Sequence, residues 1–232
     1  MSLYFRQLVA GRDFGASNPV CGQMQNLVYF IGDSDTRECV IVDPAWAVDE
    51  LVDAAEADGM RVVGALATHY HPDHVGGSMF GFTLEGVARL VARSGCKVHC
   101  HDKEAEGIRK VTGLSPTDLV THASGEKVSV GKVEVEWLHT PGHTPGSSCF
   151  RVDGALVAGD TLFCQGCGRV DLPGGDSETM YHTLRKLADL PGDTVLWPGH
   201  SYGGKTARMD QLLRSNPYLS IPDLATWHRA MG

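Results

Sequence analysis

Apolar residues fall into short runs along the chain, separated by Gly, Pro and polar turns rather than by long linkers. Residues 25–31 and 38–42 read as two strands around the polar turn 32–36, a hairpin pattern. Residues 48–57 carry apolar side chains at helical spacing and stop at Gly59, while 62–67 is a continuous apolar run of the buried-strand kind. The pattern then predicts a helix over 83–93, a strand over 97–100 and a second helix over 102–111. Strands follow at 127–130, 133–138, 148–152 and 155–158, then a helix at 177–190, a strand at 194–197 and a short helix at 207–213. Pro141, Pro145, Gly174, Gly175, Pro191 and Pro198 punctuate the crossings. Clustered strands interspersed with helices predict two sheets packed together with helices outside. Side chains at strand ends from both halves of the chain would then meet at one edge.

Composition narrows the picture. The 232 residues suit one large domain, expected to run over 1–232, and the 42% apolar share supports a sizeable core. A formal charge of −8 argues against a nucleic-acid partner, which needs a basic face. The stretch around Arg169, His200 and Lys205 can still oppose that global sign and receive an anionic substrate. No apolar run approaches the roughly 20 residues of a spanning helix, so no membrane partner is expected. The opening Met-Ser-Leu-Tyr-Phe-Arg-Gln lacks a basic leader followed by a long apolar region and does not read as a signal peptide. Seven scattered cysteines, an odd number, do not look like a disulfide framework; a reducing cytoplasm is the expected compartment.

The chemistry concentrates at residues 68–74, which read Thr-His-Tyr-His-Pro-Asp-His. Further on, His143 sits in Pro-Gly-His-Thr-Pro-Gly, Asp160 in Gly-Asp-Thr-Leu-Phe and His200 in Pro-Gly-His. Five imidazoles and two carboxylates are enough to hold two metal ions. Neither a helix nor a strand alone gathers His69, His71, Asp73 and His74 on one face, because period two excludes 74 and helical spacing pairs 69 with 73 and 71 with 74. A strand end turning into a helix at Pro72 reconciles the two: His69 and His71 project from the loop, Asp73 and His74 from the first helical turn. Imidazole plus carboxylate without obligatory thiolate suits zinc, iron(II) or manganese. A closed structural zinc site would use four ligands, often thiols, whereas this donor set leaves open positions. The bland alternative, three neighbouring histidines on a solvated loop, is disfavoured by the turn-flanked settings of the three downstream positions.

The cluster at 68–74, with His143, Asp160 and His200 following in order and context, resembles the signature of the metallo-β-lactamase superfamily, the glyoxalase II-like branch in particular. The similarity runs from about residue 26 to 218. It implies an α+β fold, a four-layer αββα sandwich with two mixed sheets inside and helices outside. It also implies a first metal on His69, His71 and His143, a second on Asp73, His74 and His200, and Asp160 bridging. Two divalent ions are the implied cofactors, zinc first, with iron or manganese as the other choices. A hydroxide between the ions would be the nucleophile, with Asp73 and Asp160 holding the machinery, and a small-molecule hydroxyacyl thioester the substrate.

Residues 166–176, Gly-Cys-Gly-Arg-Val-Asp-Leu-Pro-Gly-Gly-Asp, separate the branches. Glutathione thioester hydrolases often carry a Lys near Arg169 and a Tyr near Asp171. Arg169 can form a bidentate contact to a substrate carboxylate; Asp171 cannot replace a Tyr contact to an anion. Tyr202 matches a family position that contacts the thiol cofactor. The ending Ser215-Asn-Pro-Tyr-Leu219 is similar to the tail of short bacterial glyoxalase II-like proteins, giving a short helical tail over 207–232 without the longer segment that grips glutathione. Residues 79–125 read as a lengthened insert, a rim or interface, and a homodimer is left open. Gly-Cys-Gly-Arg with Asp171 is equally similar to the superfamily's persulfide dioxygenases, which hold a single iron at the positions matching His69, His143 and Asp160. The hydrolase is preferred on the Pro-Gly-Gly-Asp turn and the Asn-Pro-Tyr-Leu ending.

Other candidates are read as structural. Cys96, His99, Cys100 and His101 alternate across a strand. Cys164 and Cys167 form Cys-x-x-Cys without a thioredoxin-like setting, although a reactive Cys167 stays open. His122, His139, His182 and His228 lack ligand-like surroundings, and Ser147 and Ser148 show no triad.

Overall fold

In the computed structural model, which describes residues 2–79 and 81–231, two six-stranded sheets enclose an apolar layer, with helices packed on their outer faces. The first half of the chain runs through β1 (Leu3–Val9), α1 (Pro19–Met24), β2 (Leu27–Asp33), β3 (Glu38–Val42), α2 (Val48–Ala57), β4 (Arg61–Leu66) and α3 (Pro72–Val75). It continues through β5 (Gly77–Met79), β6 (Phe82–Leu84), α4 (Val87–Ser94), β7 (Lys97–His101), α5 (Asp102–Thr112) and β8 (Leu119–His122). The second half adds β9 (Lys127–Val130), β10 (Val133–His139), β11 (Ser148–Val152), β12 (Ala155–Gly159), α6 (Ser177–Ala188) and β13 (Val195–Pro198). It closes with β14 (Ala207–Arg208), α7 (Met209–Ser215) and α8 (Leu224–Met231).

One sheet has the order β1-β2-β3-β4-β7-β8 and the other β14-β13-β12-β11-β10-β9; β3, β4, β7 and β8 run parallel to one another, as do β12 and β13. Period-two alternation sorts the side chains into layers. Leu27, Tyr29 and Ile31 of β2 meet Val133, Val135 and Trp137 of β10 in the middle layer, while Val28 and Phe30 face the other way toward Leu51 and Val52 of α2. Leu156 and Leu196 pack outward against Met180 and Leu184 of α6 and Trp227 of α8. The expected αββα sandwich is therefore present. Among the described residues no helix is long and apolar enough to cross a membrane, and all seven cysteines are free.

The helix expected over 83–93 begins only at Val87. Residues 82–84 instead pair as a strand with β5, and Glu85 is pinned: its carbonyl accepts from the Trp46 amide at 3.0 Å and its carboxylate from the Val48 amide at 2.9 Å. A side chain at Gly86 would collide with the Val75 carbonyl. These tertiary contacts override the helical spacing of the apolar residues. Strand β1, unread from the sequence, pairs with β2 from Leu3↔Asp33 to Val9↔Leu27; its residues are mostly half-buried, so its alternation is weak. The helix expected over 207–213 opens as a two-residue strand and turns helical at Met209. Residues 79–125, read as an insert, supply β7 and β8 to the first sheet.

Helix α6 buttresses the loop that carries His143. Its N-cap, Asp176, accepts from the Thr179 amide at 2.6 Å and donates its own amide to the Gly142 carbonyl at 2.8 Å, and the Thr183 hydroxyl donates to the Pro141 carbonyl at 2.6 Å. The Thr179 amide holds the Asp176 carboxyl below its ordinary value. A depressed folded-state value stabilises above the unfolded value and is lost as pH falls through it. Asp176→Ala is expected to cost about 1 kcal/mol at neutral pH. That difference should fade as pH drops below roughly 4. Urea unfolding of both proteins across this range checks the prediction, and a cost independent of pH would refute it.

Candidate metal centre

The site forms where strand ends from both sheets converge. His69 and His71 follow β4, and Asp73 and His74 lie on α3, which starts at Pro72 with His71 as its N-cap. His143 lies between β10 and β11, Asp160 directly follows β12, and His200 follows β13. The ends are laced together across the sandwich. The Leu27 amide donates to Gly199 carbonyl at 2.8 Å, the Gly199 amide to Gly159 carbonyl at 2.7 Å and the Ser148 amide to Thr68 carbonyl at 3.0 Å.

The seven donors predicted from the sequence come together. His71 Nδ1 lies 3.0 Å from His143 Nε2, and His74 Nε2 lies 3.2 Å from His200 Nε2. Asp160 stands between them, 3.3 Å from His74, 3.4 Å from His200 and 3.7 Å from His143. Asp73 Oδ2 lies 3.3 Å from His200 Nε2 and 3.4 Å from His74 Nε2. Two triads, His69–His71–His143 and Asp73–His74–His200, each offer donor atoms within 4.8 Å of one another.

Three of the imidazoles are aimed by a second contact, a common way of orienting a ligand. His143 Nδ1 donates to the Arg169 carbonyl at 2.7 Å, and His200 Nδ1 to the Met24 carbonyl at 2.6 Å. His74 Nδ1 donates to Asp43 Oδ2 at 2.9 Å. Asp43 also accepts from the Thr68 amide at 2.8 Å and the Thr68 hydroxyl at 2.6 Å. The Asn26 amide donates to Asp73 Oδ2 at 3.1 Å and is itself held by the Trp46 indole at 3.1 Å. The sequence reading missed Asp43 and Asn26. The one local signal was Val42-Asp43-Pro44 at a strand end, where Asp43 adopts a left-handed φ of 53°.

This donor set fits cations. With Nδ1 of His74, His143 and His200 committed to acceptors, each neutral ring turns an Nε2 lone pair inward, where a cation can take it. His69 Nε2 and Asp160 Oδ1 are buried with no hydrogen-bond partner, a costly arrangement that a cation relieves. Burial and the neighbouring imidazoles push His69 well down, and the same causes bring His71 to about 4, which leaves both free to donate lone pairs. Burial opposes charge on His74 and His200 too, but Asp160 and Asp73 beside them raise both, His200 to about 9.

The metallo-beta-lactamase superfamily model matches residues 21–200, which include all seven donors. The chain belongs to the metallo-beta-lactamase superfamily. It is 36% identical over 186 residues to a hydroxyacylglutathione hydrolase from Methylococcus capsulatus, covering 79% of this chain and 65% of that one. It is 31% identical over 206 residues to the persulfide dioxygenase ETHE1, mitochondrial, from Homo sapiens, covering 83% and 71% respectively. Among solved structures, ETHE1 from Myxococcus xanthus superposes with a TM-score of 0.78 at 27% identity, covering 98% of this chain and 89% of that one.

In this superfamily member the donors open onto a cavity of about 740 Å³ whose wall includes Tyr70, Phe163, Cys167, Arg169 and Tyr202. Tyr202 stacks on His200, ring planes 3° apart, with centroids 4.9 Å apart. The Arg169 guanidinium, read as a substrate anchor, forms a bidentate pair with Asp171 at 2.9 and 2.8 Å. Burial pushes the Cys167 thiol up to about 12, so it is not a ready thiolate. Ser147 and Ser148 are engaged structurally: Ser147 Oγ accepts from the Thr144 amide and Ser148 Oγ from the Trp137 indole.

A residue the sequence reading passed over holds the two ligand loops in register. Glu104 of α5 is fully buried, and its carboxylate accepts from the Tyr70 amide at 2.7 Å, the Gly146 amide at 2.7 Å and the Thr144 hydroxyl at 2.8 Å. One side chain thus joins the His69–His71 loop to the His143 loop. Gly107, one helical turn on, makes room for the Tyr70 ring; a Cβ there would lie 2.6 Å from it. Glu104→Gln turns an acceptor into a donor facing a donor, and is expected to cost about 1–3 kcal/mol. Unfolding of the metal-free protein measures it, and an unchanged midpoint would refute the linkage.

Proposed function

We propose that the chain is a metal-dependent hydrolase of small-molecule thioesters acting as a single domain, with His69, His71 and His143 on one divalent cation, Asp73, His74 and His200 on a second, and Asp160 shared. The observation that carries this reading is the completeness of the second triad. Asp73, His74 and His200 are each buried and each oriented by its own partner, Asn26, Asp43 and the Met24 carbonyl. Such construction supports a second cation. When bound, a pair of divalent cations supplies water activation at neutral pH and polarisation of a carbonyl. The chain's own part is to fix the donors, to keep Asp160 ionised, and to exclude bulk water with the walls around Phe163 and Tyr202. A thiolate leaves without a strong general acid. Arg169 and Tyr202 are the proposed substrate contacts, both on the cavity wall.

The alternative is an iron-dependent persulfide dioxygenase, favoured by the near-complete superposition on the Myxococcus xanthus structure. One experiment separates them. Metal-loaded protein is expected to release thiol from a thioester panel under argon and to consume no oxygen with glutathione persulfide. Oxygen uptake with sulfite formation, and no anaerobic thiol release, would overturn the hydrolase.

A further inference from the structure

We propose, on top of the hydrolase reading, that the cavity beside the metal centre takes an apolar acyl chain, so that the substrate is recognised through its acyl side and not through a charged carrier. The wall that surrounds the metal-binding floor is built from Met24, Met79, Phe163, Leu172, Pro173 and the Tyr202 ring. Apart from histidine, Arg169 is the one cationic side chain among the described lining residues, and both arms of its guanidinium fork are already on Asp171. The acidic lining residues, Asp73 and Asp160, face the histidines. A peptide-like carrier with its own carboxylates would surrender hydration on entering and meet no unpaired lysine or arginine on the described wall. A hydrocarbon chain instead gains from every methylene it removes from water.

Two further features extend the apolar path outward. Met79 sits on β5 directly opposite Phe82 of β6, and Phe82 is 57% exposed, the largest exposure among the bulky hydrophobic side chains described. Tyr202 is also exposed on the cavity wall. Exposed apolar side chains on the cavity wall, and on the strand paired with it, offer an apolar ligand more surface to cover. The flexible thioethers of Met24 and Met79 allow the wall to follow chains of different length. The cavity, at about 740 Å³, is of the size that encloses a drug-sized ligand and exceeds what a two- or three-carbon hydroxyacyl group fills.

The test uses the metal-loaded full chain and neutral N-acetylcysteamine thioesters from acetyl to octanoyl. We expect kcat/KM to rise roughly fourfold per added methylene. Non-hydrolysable S-alkyl N-acetylcysteamine thioethers should bind with the same increments by calorimetry, and Met79→Asp should flatten both series. Thioester turnover with no dependence on chain length would overturn the acyl site and leave the hydrolase standing. Glutathione thioesters outrunning their N-acetylcysteamine counterparts by more than about tenfold would overturn it too, since a charged carrier would then be recognised. Increments in thioether binding without turnover of any thioester would support the acyl site and count against the hydrolase.

Discussion

Asp160→Asn is expected to lower thioester turnover by about 10³-fold or more, the largest effect of any single substitution considered for this chain. Among the described residues, Asp160 is the carboxylate within 4 Å of histidines from both donor triads, His74 and His200 on one side and His143 on the other. Burial by itself pushes its carboxyl up, but the charges on His200 and His74 hold it well below the usual carboxylate range. The neighbouring imidazoles thus favour its ionised form. Asparagine keeps the shape and removes the charge, so the site loses its shared anion without a cavity being created. Metal content by mass spectrometry and kcat/KM should fall together while far-ultraviolet dichroism stays native. A variant that binds two metals and turns over normally would remove Asp160 from the centre.

Asp43→Ala should be the most damaging change among residues that touch no substrate. The Asp43 carboxylate is buried and serves three donors at once: the Thr68 amide, the Thr68 hydroxyl and His74 Nδ1. Alanine leaves all three without an acceptor in a dry interior, a loss of about 3–5 kcal/mol. Free to rotate or change tautomer, His74 should hold its metal roughly 10–100-fold less tightly. Asp43→Asn retains an oxygen for the Thr68 amide, so it should recover part of the stability but little of the affinity. Competition with a chromogenic chelator reads the affinity and urea unfolding reads the stability. Equal metal affinity in Asp43→Ala and the unaltered protein would show that His74 needs no such partner.

Much of the architecture was legible because alternation and helical spacing are local properties. The strands at Lys127–Val130 and Ser148–Val152 and the helix Val48–Ala57 carry their pattern within a few residues, and they occur where expected. The turn into a helix at Pro72 followed from the geometry of neighbouring side chains. The misreadings share a cause. Residues 83–86 opened the stretch read as helical, yet Glu85 is captured by Trp46 and Val48, nearly forty positions earlier. Strand β1 shows its partner only once β2 lies beside it. Asp43 and Glu104 looked like ordinary acidic residues because their importance rests on donors more than twenty positions away.

From the linear order alone came the inventory of donors, since imidazoles and carboxylates set in turns at 69–74, 143, 160 and 200 declare a metal-binding capacity by chemical type. The tertiary structure decided which donors meet, which nitrogen of each ring faces inward, and what lines the space beside them. Those outcomes depend on backbone carbonyls such as those of Met24 and Arg169, and on one buried acid joining two loops. Hydrogen bonds and packing between distant segments set them, and neither has a period that a single stretch of sequence can carry.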